Sequence, residues 1–260
     1  MKGLQFMLRL GLFLLSLFFA TPLAIAGDNV IYHDGDVELE GYLARAPETG
    51  SPIVMIVHQW KGLGDYEKMR ADMLAKEGYN VFAIDMYGRG IRPKDPKAAG
   101  EEATKYKSNP TLARERLNAA LAYARDIENA DRSRIAIMGY CFGGAMALEL
   151  ARSGADIKSA ISFHGNLTSG MPATKPGSIK AAIAVFHGNA DPHVSREQVR
   201  MFREEMNAAK ADWMFTEYAD AVHAFTEKEA GNDPSTGAAY NEKADKRSWA
   251  AALDFLKETL

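Results

Sequence analysis

Between residues 50 and 220 the chain alternates short runs of consecutive apolar residues with longer stretches whose apolar positions recur every three or four places. Residues 53–57 form a continuous β-branched and apolar run, the pattern of a strand buried on both faces. Residues 81–85, 134–139, 157–163, 181–186 and 213–218 predict further strands. Between them the helical spacing predicts helices over 65–77, with Met69, Met73 and Leu74 on one side and Gly78 as the stop, and over 112–128 and 196–210. An alanine-rich helix follows Gly144 as far as Arg152. A C-terminal helix over 240–260 turns Trp249, Leu253 and Leu256 toward the core. Residues 89–110 are polar and rich in Pro, Gly and Lys, and read as a partly helical excursion over the surface. Residues 30–46 alternate loosely and predict two antiparallel strands joined at Asp34-Gly35-Asp36. Strands alternating with helices predict an α/β protein: a mostly parallel sheet of about eight strands, covered by helices on both faces, with an antiparallel edge.

The first 26 residues break this pattern. Lys2 and Arg9 are followed by nearly unbroken apolar sequence over 10–19, and Ala24-Ile25-Ala26 has the form of a signal-peptidase site before Gly27. The expectation is a cleaved signal peptide over 1–26 and one mature unit over 27–260. The protein would be exported, periplasmic or secreted, with no stable membrane association after cleavage. Loss of Lys2 and Arg9 takes the formal charge from −3 to −5. A mildly acidic chain has no general attraction for nucleic acid. A single cysteine, Cys141, excludes an intramolecular disulfide, and a lone thiol is unusual in an oxidising compartment.

Gly139-Tyr140-Cys141-Phe142-Gly143 is a G-x-C-x-G pattern between a predicted strand and a predicted helix. This is the nucleophile elbow of the α/β-hydrolase fold with cysteine in the serine position. Glycines are needed because the chain crowds itself at the bend. The sulfur is delivered to a helix N-terminus, where the dipole favours a thiolate. The order of this fold is nucleophile, acid, histidine. Asp191, in Gly188-Asn189-Ala190-Asp191-Pro192, and His223, in Ala221-Val222-His223-Ala224-Phe225, each follow one of the last two strands. His223 would act as the base and Asp191 would orient it. The N–H groups of Phe142 and Trp60 would form the oxyanion hole. His187, Asp191 and His193 lie close in sequence, but their spacing matches no metal motif. Neither a metal nor a cofactor is expected.

These residues resemble the dienelactone hydrolase family over nearly all of the mature chain. The resemblance rests on Gly139-Tyr140-Cys141-Phe142-Gly143-Gly144-Ala145, on Gly188-Asn189-Ala190-Asp191-Pro192-His193-Val194, on His223-Ala224-Phe225 and on Asp85-Met86-Tyr87-Gly88-Arg89. It implies hydrolysis of a lactone or ester through an acyl-cysteine without a cofactor. It also implies that Gln59, Tyr87 and Arg89 bind substrate. The chain departs from the family twice. Gln59 stands where the family has a thiol-activating glutamate, and an amide cannot accept that proton. Glu227 stands where the family has a second arginine for the substrate carboxylate; a carboxylate there repels an anion. Lys61 and Arg92 are candidate replacements.

The expected function is therefore cleavage of small carboxylic esters or lactones, with Glu227 arguing against an anionic substrate. A peptidase-type acyl hydrolase of the same fold is one alternative. A non-enzymatic binding or thiol redox-sensing protein is another. The oligomeric state is not legible, and a monomer is compatible with the sequence.

Overall fold

A computed structural model describes residues 26–260. The signal-peptide expectation falls, except for Ala26, outside the described residues. Strands β1 (Asp28–Asp34) and β2 (Val37–Ala44) form an antiparallel hairpin turned by Gly35 at φ 56°. After them come β3 (Ser51–Val57), α1 (Asp65–Lys76), β4 (Asn80–Ile84), α2 (Pro96–Lys107) and α3 (Pro110–Arg125). The second half runs β5 (Ala130–Tyr140), α4 (Phe142–Arg152), β6 (Ser159–Phe163), β7 (Ala182–Gly188), α5 (Arg196–Ala209), β8 (Trp213–Tyr218) and α6 (Glu242–Thr259). The eight strands lie in the order β1-β2-β4-β3-β5-β6-β7-β8. β1 and β2 are antiparallel to their neighbours, and the other six strands run parallel. This is the α/β-hydrolase architecture that the hydrophobic pattern predicts.

Helices α1 and α6 cover one face of the sheet through Ala71, Leu74, Ala252, Phe255 and Leu256. Helices α2 to α5 cover the other through Ala103, Leu117, Leu148 and Phe202. Burial on both faces explains why the central strands read as continuous apolar runs rather than as alternation. Two departures have local causes. The excursion over 89–110 contains a full helix, α2, because Asp95 caps it by accepting Ala98 N–H at 3.0 Å and Pro96 occupies its first turn. β5 starts four residues before its apolar run, because Ala130 and Asp131 pair with Ser51 and Pro52 ahead of a register shift. The topology places the site. From β3 the chain proceeds through β4 on one side, while β5 lies on the other. A crevice opens at such a reversal, at the carboxyl ends of the strands.

Candidate active site

Cys141 sits at that crevice, between the end of β5 and the first turn of α4. Its backbone is at φ 54°, ψ −114°, a strained conformation for a residue with a side chain. Neighbouring side chains are excluded by the bend. A Cβ on Gly139 would lie 2.1 Å from the Gly143 carbonyl oxygen, and one on Gly143 would lie 2.2 Å from that of Val57. Cys141 Sγ, half-buried, lies 3.0 Å from Nε2 of His223. His223 Nδ1 lies 2.8 Å from Asp191 Oδ2, and the Asp191 carboxylate is fully buried. The other carboxylate oxygen, Oδ1, accepts the His193 N–H at 2.8 Å. The loop carrying His223 is fixed on residues 237–239: His223 N–H donates to the Gly237 carbonyl and its carbonyl accepts Ala239 N–H. Ala224 then turns the chain at φ 55°. Burial opposes charge on His223, but the Cys141 sulfur and the Asp191 carboxylate raise it to about 10. His223 therefore holds a proton more readily than an ordinary imidazole.

Two backbone N–H groups, those of Phe142 and Trp60, are expected to receive an oxyanion. Phe142 is the first residue of α4, and an N–H there has no intrahelical acceptor. The loop after β3 is held at both peptides that flank Gln59. Gln59 N–H donates to Glu67 Oε1 at 3.1 Å, and the Gln59 carbonyl accepts from His58 Nδ1 and from Gly62 N–H. Because the peptide is planar and trans, Trp60 N–H points opposite to that carbonyl. It has no acceptor among the described residues. Burial lowers His58 to about 4, so it stays neutral, with Nε2 free to accept Met86 N–H at 3.1 Å.

A cleft of about 1240 Å³ opens over these groups. Gln59, Trp60, Lys61, Cys141, Phe142, His223 and Glu227 line it. Tyr87 and Arg89, both expected to bind substrate, do not line it in this structure. Tyr87 is buried behind the wall. Its hydroxyl donates to the Trp60 carbonyl at 2.9 Å, and its ring packs on His58 and Phe142. It thereby supports the loop that carries Trp60. Arg89 is turned away because buried Asp85 gathers the Tyr87 and Gly88 N–H groups and folds the loop back toward β2. There Arg89 N–H meets the Glu38 carbonyl and its guanidinium pairs with the Glu38 carboxylate in solvent. Arg92 is committed to Asp85 and to the carbonyls of Leu63 and Glu40; of the two candidate replacements Lys61 lines the cleft, as do Arg70, Lys107 and Lys228. Among the described residues no group of three or more His, Cys, Asp or Glu side chains is arranged to hold a metal. His193 contributes its N–H to Asp191 and its ring edge to His223.

Three residues at the site carried no role in the sequence reading. Glu67 is fully buried, and desolvation raises it to about 7 against the two backbone N–H groups, Gln59 and Gly64, that it accepts. Its signal was a carboxylate three places beyond Gly64 at a helix start, ambiguous with ordinary capping. Glu227, raised by burial, adds to the negative potential there. His164 and Thr226 meet at 2.9 Å behind the elbow. A histidine ending a buried strand, followed by Gly165, was the available sign.

The chain matches the model of the dienelactone hydrolase family over residues 39–260. It is 40% identical to an uncharacterized protein of Caenorhabditis elegans over 146 residues, 55% of this chain and 91% of that one. It is 27% identical to an Escherichia coli K12 protein provisionally named carboxymethylenebutenolidase, over 90% of this chain and 87% of that one. Its fold superposes with a TM-score of 0.83 on a dienelactone hydrolase-like promiscuous phosphotriesterase from metagenomic libraries. That structure is 32% identical, with 90% of this chain and 98% of the other covered.

Proposed function

The chain belongs to the dienelactone hydrolase family, hydrolases acting on ester bonds, and from that premise we propose that it cleaves neutral carboxylic esters and lactones through an acyl-cysteine on Cys141. His223 takes the thiol proton, and Sγ attacks the carbonyl carbon. The oxyanion is received by the N–H groups of Phe142 and Trp60. Collapse of the tetrahedral intermediate breaks the carbon–oxygen ester bond, and His223 returns its proton to the departing alkoxide. Water, deprotonated by His223, then attacks the thioester and releases the carboxylic acid and the thiol. Asp191 keeps Nε2 directed at the sulfur throughout. The observation that carries this reading is the sulfur–imidazole–carboxylate line, at 3.0 and 2.8 Å, beside two N–H groups free to bind an oxyanion.

The substrate class follows from the wall opposite the helix. Glu67 and Glu227 both line the cleft beside Gln59, Glu227 adding to the negative potential at Glu67, with Lys61 as partial compensation. An anionic ester pays repulsion there that a neutral one avoids. Export through residues 1–26 is part of the same proposal, and among residues 26–260 no helix is long and apolar enough to cross a membrane.

The test compares p-nitrophenyl acetate with an anionic dienelactone. Wild type should turn over the neutral ester and accumulate an acyl adduct on Cys141 by intact mass. Cys141→Ala should lose at least about 10³-fold in kcat. Glu227→Gln should raise relative activity on the anion by about 3- to 10-fold. Equal hydrolysis by wild type and Cys141→Ala sinks the mechanism; faster turnover of the anion by wild type sinks the substrate class.

A further inference from the structure

We propose that His164 is a positioning residue that ties the loop of the nucleophile to the loop of the catalytic histidine and sets the sulfur–imidazole distance. The inference rests on the reading of Cys141 and His223 as the reacting pair. His164 follows β6, at φ 40°, with its side chain fully buried. Its N–H donates to the Phe186 carbonyl at 2.8 Å, which anchors it to β7. Its two ring nitrogens then reach in different directions. Nδ1 lies 3.1 Å from Cys141 N, and Nε2 lies 2.9 Å from Thr226 Oγ1.

The Cys141 end decides the tautomer. A backbone N–H can only donate, so Nδ1 is the acceptor and the ring proton is on Nε2. His164 therefore donates to the Thr226 hydroxyl. Burial, reinforced by His223, keeps the ring neutral. Thr226 is three residues beyond His223, on the same loop. Its hydroxyl also receives Tyr66 O–H at 2.8 Å, and Tyr66 in turn accepts from Arg70 Nε at 3.1 Å. Arg70 is fixed by Asp245 of α6. The loop is thus held from α1, from α6 and from the elbow at once.

A second contact makes the role specific to the reacting pair. The His223 ring lies between two imidazoles, edge-on to His164 with centroids 5.3 Å apart and to His193 at 5.1 Å. His193 is exposed at the cleft, whereas His164 is buried and bonded at both ring nitrogens. Rotation of His223 toward His164 is therefore blocked by a ring that is bonded at both nitrogens. Cys141 N–H keeps the Phe163 carbonyl at 3.0 Å even without His164. Removal of the imidazole thus orphans nothing at the elbow and loosens only the link between the loops.

The experiment uses the whole enzyme and two readouts: ester hydrolysis, and the pH midpoint of Cys141 alkylation by iodoacetamide. His164→Ala should lower kcat about 10- to 100-fold with KM changed less than about 3-fold. Its alkylation midpoint should rise by about half to one pH unit, as the imidazole no longer holds its place beside the sulfur. His164→Gln, whose amide nitrogen reaches toward Thr226, should recover part of both. Thr226→Val, nearly isosteric, should reproduce the direction of the alanine variant and stands in for it if that variant does not fold. Unchanged kcat and midpoint in the folded His164 and Thr226 variants, with only a lower Tm, overturn the proposal and leave a core histidine. The two readings separate cleanly. Loss of the Cys141 mechanism appears as hydrolysis indifferent to Cys141→Ala, whereas the alkylation midpoint reports on His164 even without turnover.

Discussion

The two walls that meet over Cys141 are built on opposite principles. On the elbow side, each polar atom of the proposed triad has a partner of fixed direction: Sγ with His223, His223 with Asp191, and Asp191 with the His193 N–H. Burial opposes charge on His223, and neighbours within hydrogen-bond distance raise it. On the loop side, Glu67 is buried with two backbone N–H groups and no cation bonded to it, and Glu227 adds a second carboxylate. Its charge is set by desolvation and changes near neutral pH. One wall is shaped for a single chemical event. The other adjusts the field in which that event occurs.

The largest expected effect breaks the elbow wall. The Cβ of Gly143→Ala would lie 2.2 Å from the Val57 carbonyl oxygen and 2.7 Å from that of His58, both main-chain atoms that no rotamer change can move aside. Either β3 and α4 separate or the bend opens. Ester hydrolysis should fall at least about 10³-fold, and a thermal melt should show a Tm lower by several degrees or no cooperative transition. A variant with wild-type activity would show that the elbow has slack, and the contrast between the walls would fail.

The middle effect sharpens the contrast through pH. The folded chain holds the Glu67 proton up to about 7, against 4.5 for an ordinary glutamate, because burial penalises the charged form. The stability this contributes is full below 4.5 and is lost as pH rises through about 7. Urea midpoints of wild type should therefore decline between pH 5 and 8 more steeply than those of Glu67→Gln. The difference should be on the order of 1–2 kcal/mol in unfolding free energy. The amide cannot accept both backbone N–H groups, so kcat should also fall a few-fold at every pH. Parallel pH curves for the two proteins would mean that the carboxylate is solvated and that the loop wall is as fixed as the elbow.

The sequence disclosed these walls unequally, for physical reasons. The elbow was legible because its constraint is steric and leaves glycines at 139 and 143 around the only cysteine. Asp191 and His223 were legible because strand ends bring them to one rim. Phe142 was read from the same bend, and Trp60 from the loop after β3. Glu67 and His164 were not legible, because their roles depend on burial and on partners 8 to 62 residues away. Helix α2 was half-seen, since its length comes from the Asp95 cap rather than from a continuous apolar stripe.

Arg89 and Tyr87 show where reading by motif breaks down, and Arg89 gives the smallest and most discriminating effect. Both follow β4 at the correct rim, yet Asp85 pulls their N–H-rich loop toward β2, so that Tyr87 backs the Trp60 carbonyl and Arg89 leaves the site. Position at a strand end fixes which edge a residue occupies, and the hydrogen bonds of the loop fix which way it faces. Arg89→Ala should therefore change kcat/KM for neutral and anionic esters by less than about 2-fold. Its Tm should stay within about 2 °C of wild type, because an ion pair held in solvent is screened on both sides. Lys61→Ala, on the cleft side, should lower activity on the anion more than on the neutral ester. If Arg89→Ala instead removes anionic turnover while Lys61→Ala spares it, the loop after β4 must swing over the cleft when substrate arrives. The adjustable wall would then extend beyond Glu67 and Glu227 to a segment that this structure folds against Glu38.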